Sequence, residues 1–271
     1  MIIFNAGESF WGQQKELKKS RNRLLKLART IGRLDDLTLS QYGQLFAITL
    51  SFKPDLIIEL GRGYGNSTAV LTEVANQLTN CKVISICLSN DWQEKTSLEI
   101  ARVVPKNWFD KLDAKIANIL DIDVKKLVKE SKRTLFLWDA HGWDVAEYVL
   151  GRVLPAIRKK EHLVLVHDIS YFDQKNHADY GSHGVWKGYP GDEVKDLPYV
   201  VVDSMTSPFE EVIAIYDFAA RNKLKIYSVQ EQINDIFRKN KNAHADLKNL
   251  LGRYLPDSSS SFHYFSLNTL P

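Results

Sequence analysis

Cysteine is scarce in this sequence, with two among 271 residues, and that excludes a small scaffold stapled by disulfides. Cys81 and Cys87 share one apparent extended run, where about 3.3 Å per residue sets them roughly 20 Å apart. A disulfide needs Cα atoms within about 7 Å, so these two do not bond to each other. Long hydrophobic runs are also missing. The longest, such as Leu56 to Leu60 and Leu163 to Val166, fall far short of the about 20 residues that cross a bilayer, so membrane insertion is not expected. Met1 to Phe10 lacks a basic stretch leading into an apolar segment and a small-residue cleavage site, so a secretory signal is not expected and the cytoplasm is the default location. An excess of charge is absent too: the formal net charge of +3 is too small to call for a nucleic-acid partner. There is no internal repeat, and only the short run Ser258 to Ser261 has low complexity.

What is present is core-forming material, 44% hydrophobic and 25% charged residues, enough for one elaborated domain. Apolar, β-branched runs at Asp55 to Leu60, Lys82 to Leu88, Ala114 to Leu120, Thr134 to Trp138 and His162 to Val166 alternate with segments of helical character. Strands interleaved with helices imply an α/β fold with a mostly parallel sheet and right-handed crossovers. Ser40 is read as the cap of a helix ending before Pro54, and Asp144 with Glu147 as a capping box for a helix running to about Lys159. Upstream, Leu17, Leu24, Ala28 and Ile31 recur at helical spacing among Lys18, Lys19, Arg21, Arg23, Lys26 and Arg29, the pattern of an amphipathic helix with a solvated basic face. The organisation expected is a helical cap over 1–53, a sheet domain over 54–229 and a helical extension over 230–271. Within the middle unit, 171–198 is read as an inserted lid, rich in glycine, histidine and aromatic residues. The sheet is expected to resume at Tyr199 to Asp203, Glu211 to Tyr216 and Leu224 to Tyr227, and the extension to close in an extended end.

The strongest local signal is DLIIELGRGYGNST, Asp55 to Thr68. An apolar strand ends in Glu59, the glycines Gly61, Gly63 and Gly65 alternate, and Asn66 to Thr68 open a helix. Such a turn brings backbone close to a ligand, and helix-start amides face an anionic group. A dinucleotide fingerprint would want a third glycine at Asn66, so a nicotinamide cofactor is disfavoured. The motif resembles that of the class I S-adenosylmethionine-dependent methyltransferases. The resemblance implies a Rossmann-like fold with a seven-stranded sheet, S-adenosylmethionine as cofactor, Gly61, Gly63 and Gly65 against its methionine part with Ser67 and Thr68 at the helix start, and Glu59 towards its amino group. It also implies an acid on the ribose hydroxyls, where this chain has Cys87 with Asn90 and Asp91 close behind, and an adenine contact at Asn118.

Two further strand ends carry chemistry: LFLWDAHGW gives Asp139, His141 and Trp143, and LVLVHDIS gives His167 and Asp168. Ligands sit outside the carboxyl ends of parallel strands, so these side chains are expected around one cleft. The pair resembles the small-molecule O-methyltransferases, a group that includes the catechol and macrocin enzymes. That implies a small-molecule substrate methylated on a hydroxyl, such as a sugar or a natural-product intermediate. A histidine near neutrality suits the removal of the hydroxyl proton, His141 first and His167 second, and Asp139 is also a cofactor contact. The same resemblance implies a second mechanism, in which magnesium is held by Asp139 and Asp168 with Ile169 where a third donor would stand. Two other readings are a cephalosporin-hydroxylase-like enzyme, whose motif is similar, and a binding protein that kept the fold without catalysis. The sequence does not specify an oligomeric state, and a homodimer is compatible with it.

Overall fold

The structure, a computed structural model, describes residues 4–34, 36–167, 207–240, 242–252 and 262–269. Seven strands form one sheet: β1 (Leu56–Leu60), β2 (Lys82–Cys87), β3 (Leu112–Ile116), β4 (Arg133–Trp138), β5 (Glu161–Val166), β6 (Tyr227–Ser228) and β7 (His263–Phe265). Their spatial order is β3-β2-β1-β4-β5-β7-β6. The first five are parallel, while β7 runs antiparallel between β5 and β6. This is the mostly parallel, Rossmann-like sheet that the alternation of runs implies. β1 is buried along its whole length and β4 and β5 along nearly all of theirs, as a sheet covered on both faces requires.

Side-chain alternation sorts the core into two layers. Ile57, Val83, Leu135, Leu137, Leu163 and Leu165 face helices α1 (Ala6–Gly12), α2 (Gln14–Ile31), α3 (Leu39–Phe52) and α4 (Asn66–Gln77). Ile58, Leu60, Phe136, Trp138, Val164 and Val166 face the opposite side. There they meet α6 (Val124–Leu127), α7 (Trp143–Tyr148), α8 (Leu154–Ile157) and α9 (Ser207–Asn222), while the short α5 (Ser97–Ala101) packs through Ile100 with Leu27 and Ile31 of α2 and Ala69 of α4. The basic helix buries Leu17, Leu24, Leu27, Ala28 and Ile31, the stripe expected from its spacing with Leu27 added. Its cationic side is partly structural. Arg21 Nε donates to the Leu251 carbonyl (2.5 Å) and Arg23 to the Val103 carbonyl (2.8 Å).

The chain ends meet. A Cβ on Gly7 would lie 2.3 Å from the Gln232 carbonyl oxygen, so α1 crosses α10 (Val229–Lys239) at close range. The Tyr264 hydroxyl of β7 donates to the Phe4 carbonyl and to Gln232. The last helix, α11, spans Ala243–Leu251.

Several local expectations are corrected. Glu211 to Tyr216 is helical, within α9, because its apolar positions follow a helical rather than a two-residue period. Leu224 to Tyr227 contributes only its last residue to β6. The third strand occupies Leu112–Ile116, ending before Ala117. The extended end is a strand of the sheet, since β7 pairs with β5 and β6. Thr38, not Ser40, caps α3 through a full capping box with Gln41. Gly142 precedes α7 with no side-chain cap, so Asp144 lies in the first turn, and a π-turn over Val149–Val153 interrupts the helix before Pro155. Both cysteines are free. The lid read over 171–198 and the strand Tyr199 to Asp203 lie outside the described residues.

Candidate active site

The ladders of β1, β3, β4 and β5 continue one residue past the strand ends, which aligns the loops that follow. Gly61 N–H donates to the Ile86 carbonyl (3.0 Å), Asp139 N–H to Leu60 (2.8 Å), His167 N–H to Trp138 (3.1 Å) and Ala117 N–H to Cys87 (3.0 Å). Gly61, Asp139, His167, Cys87 and Asn118 therefore gather at the carboxyl edge of one sheet, the edge where α/β proteins bind ligands.

The glycine turn has left-handed backbone at all three glycines, φ +87°, +50° and +93° at Gly61, Gly63 and Gly65. The positions differ in what surrounds them. A Cβ at Gly61 would sit 2.0 Å from the Asp139 carbonyl oxygen, and one at Gly65 would sit 2.4 Å from the Trp92 ring. Those two glycines let backbone and indole pack. At Gly63 a Cβ would meet only the Asp36 carboxylate, 3.2 Å away. The middle of the turn is thus the place where backbone is left open, bordered by an acid from the α2–α3 loop.

Glu59 is completely buried on the α4 side of β1. Its two oxygens accept from Ser67 Oγ and Thr68 Oγ1, each at 2.5 Å. Burial pushes its carboxyl above the usual carboxylate range, opposed by hydroxyl hydrogen bonds and by the Arg62 charge. Arg62 is itself buried. It donates to the Ser85 carbonyl (3.0 Å), Ser85 Oγ (3.1 Å) and the Lys115 carbonyl (3.2 Å), stitching the turn to β2 and β3. Glu59 was expected to face the cofactor's amino group; it is turned inward and holds Ser67 and Thr68 in place.

His167 lies between two partners. Its Nδ1 is 3.0 Å from Asp139 Oδ1 and its Nε2 is 2.7 Å from Gln41 Nε2. The capping box decides the protons. Gln41 Oε1 accepts from the Thr38 N–H and hydroxyl, both at 2.9 Å, so the amide nitrogen must be the group facing His167. Nε2 then accepts, and Nδ1 carries the hydrogen that is donated to Asp139. Both nitrogens of the ring, where a base was expected second to His141, are thus engaged within the fold. His141, by contrast, is exposed in the loop before Gly142.

Asn118 caps a short turn, its oxygen accepting from Leu120 N–H (3.1 Å), with the second lone pair still available. Past Cys87, Asn90 and Asp91 are exposed at the start of a π-turn over Trp92–Thr96. Among the described residues no three His, Cys, Asp or Glu side chains cluster as a metal site; Asp168, Ile169, His177 and His183 lie outside those residues. Among the described residues no helix is long and apolar enough to cross a membrane.

Sequence reading missed Gln41, Asp36, Tyr42, Asn66 and Arg62. Arg62 and Asn66 lie within the glycine motif and Gln41 in the Thr38-x-x-Gln41 spacing of a capping box, while Asp36 and Tyr42 carry no signal.

No protein-family model matches the chain, and no curated protein matches it. Solved structures do. One is a Klebsiella pneumoniae protein assigned as an O-methyltransferase, with TM-score 0.51 and 10% identity over 91% of this chain and 90% of that one. Another is cofactor-bound Rv0187 from MTB, with TM-score 0.51 and 11% identity over 91% and 88%. The SAH-bound methyltransferase PaMTH1 of Podospora anserina matches with TM-score 0.48 and 12% identity over 97% and 88%. At these identities the likeness is one of fold. The chain has the Rossmann-like methyltransferase fold.

Proposed function

We propose that this chain is an S-adenosylmethionine-dependent methyltransferase acting on a hydroxyl of a small molecule. The observation that carries the reading is the turn from Gly61 to Gly65, which leaves backbone open at Gly63 and opens a helix whose first hydroxyls are fixed by Glu59. Its place at the carboxyl edge fits a cofactor with a carboxylate at one end, since helix-start amides favour an anion. The shared fold of a protein assigned as an O-methyltransferase supports the same reading.

When bound, S-adenosylmethionine supplies an electrophilic methyl group. Gly61, Gly63, Gly65, Ser67 and Thr68 would hold its methionine end, Asn90 and Asp91 its ribose in place of the acid absent at Cys87, and Asn118 its adenine. Asp139, fixed by His167 and Gln41, borders the same edge. His141 would take the hydroxyl proton, a step that adds about 10² to 10⁴-fold when base and hydroxyl are aligned. In the magnesium form of the mechanism, Asp139 and Asp168 would hold the ion, which lowers the pKa of the hydroxyl instead.

Calorimetric titration with S-adenosylhomocysteine and with a dinucleotide tests the assignment. Binding of the first and not of the second is expected; binding of neither would favour a protein that kept the fold without the cofactor. Methyl transfer to a panel of phenols and sugars, with and without chelator, then separates the His141 mechanism from the magnesium one.

A further inference from the structure

Resting on that reading, we infer that Asp36 is the carboxylate that receives the α-ammonium of the bound cofactor. The methionine end of the cofactor is a zwitterion, so the site needs a counter-charge for its ammonium as well as amides for its carboxylate. Glu59, the acid the motif offers, is completely buried, and both its oxygens accept from Ser67 and Thr68. Of two other acids at this edge, Asp139 has one oxygen held against His167 Nδ1 at 3.0 Å, whereas Asp36 borders the open glycine.

Asp36 comes from the loop between α2 and α3, thirty residues upstream of Asn66 in the chain. Its Oδ2 accepts from Asn66 Nδ2 at 2.7 Å, and Oδ1 lies nearest the open side of Gly63, 3.2 Å from where a Cβ would stand. The orientation of Asn66 is fixed. Its Oδ1 accepts from the buried Tyr42 hydroxyl (2.5 Å), and its amide nitrogen donates to the Arg33 carbonyl (2.8 Å) as well as to Asp36. Arg33 in turn lies over the Tyr64 ring, 3.7 Å from its centroid. The loop is thus tied to the glycine turn at three points and holds its carboxylate at the turn. The charge of Asp36 is also felt at Tyr42, whose hydroxyl is pushed up by burial first and by Asp36 second.

The test compares two ligands on two proteins by calorimetry. S-Adenosylhomocysteine carries the amino-acid end; 5′-methylthioadenosine keeps adenine, ribose and thioether but lacks it. Asp36→Asn retains an oxygen for Asn66 and removes the charge. The expected result is a loss of about 10- to 100-fold in S-adenosylhomocysteine affinity, the worth of a charge-assisted hydrogen bond, with methylthioadenosine affinity unchanged. An unchanged S-adenosylhomocysteine affinity, or equal weakening of both ligands, overturns the inference while leaving the methyltransferase reading standing. Loss with Asp139→Asn and not with Asp36→Asn would place the ammonium on Asp139 and overturn it too. If the unaltered protein binds neither ligand, the methyltransferase reading falls and this inference with it.

Discussion

The amide nitrogen of Gln41 lies 2.7 Å from Nε2 of His167, and this contact sets the tautomer of a histidine at the carboxyl edge of the sheet. Because Gln41 is locked by Thr38, Nε2 of His167 faces a donor and Nδ1 faces the Asp139 carboxylate. Gln41→Glu replaces a donor by a charged acceptor, so that His167 would face carboxylates on both sides and hold a second proton. Nitrogen NMR of the imidazole should report a neutral Nδ1–H ring in the unaltered protein at pH 7 and an imidazolium in the variant. An Nε2–H tautomer in the unaltered protein would contradict the assignment.

The three glycines should separate by what a methyl group meets. Gly61→Ala sets a Cβ against the Asp139 backbone in a strained conformation, with an expected stability loss of roughly 3 kcal/mol or more in urea unfolding. Gly63→Ala should cost only about 1 kcal/mol, yet it should weaken S-adenosylhomocysteine binding more than any equally stable surface variant. Equal stability losses at the two positions would contradict the packing described for Gly61.

Arg62 and Glu59 form a buried, charge-coupled group. Arg62→Met removes the donors to the Ser85 carbonyl, Ser85 Oγ and the Lys115 carbonyl together with the charge that favours the Glu59 carboxylate, and should cost roughly 1–3 kcal/mol. The double variant Glu59→Gln with Arg62→Met should recover part of that loss, read as a higher denaturation midpoint than in Arg62→Met. Additive losses would show that the two do not interact.

The fold was legible because strand periodicity is local. The runs ending at Leu60, Trp138 and Val166 announce buried parallel strands, and the glycine turn announces its own position. Gln41 and Asp36 were not legible as site residues, since what brings them to His167 and Gly63 is the packing of α2 and α3 on the sheet, a relation that no short window contains. The inward turn of Glu59 was equally hidden, because it depends on hydroxyls of α4 being nearer than solvent. Glu211 to Tyr216 was misread for a simpler reason: a short apolar run fits a strand and a helix alike.

Acid should destabilise the sheet through His263. Burial, and secondly the nearness of His167, lowers its pKa from 6.5 to about 4, and its Nδ1 has no hydrogen-bond partner among the described residues. Below pH 6.5 the unfolded chain takes up a proton that the folded chain refuses until about pH 4. Stability is therefore complete above that window and falls within it, by on the order of 3 kcal/mol. His162, lowered in the same direction chiefly by burial, adds to the slope. Urea midpoints measured from pH 7 to 4 should fall less steeply for His263→Leu; an identical slope would remove His263 as the cause.

The most direct test of the cofactor site is the map of backbone amide shifts on adding S-adenosylhomocysteine to the full chain. The expected perturbations concentrate at Asp36, from Gly61 to Thr68, from Cys87 to Asp91, at Asn118 and at Asp139, all at the carboxyl edge of the sheet. Shifts confined to the basic face of α2, around Arg21, Lys26 and Arg29, or none anywhere, would contradict it.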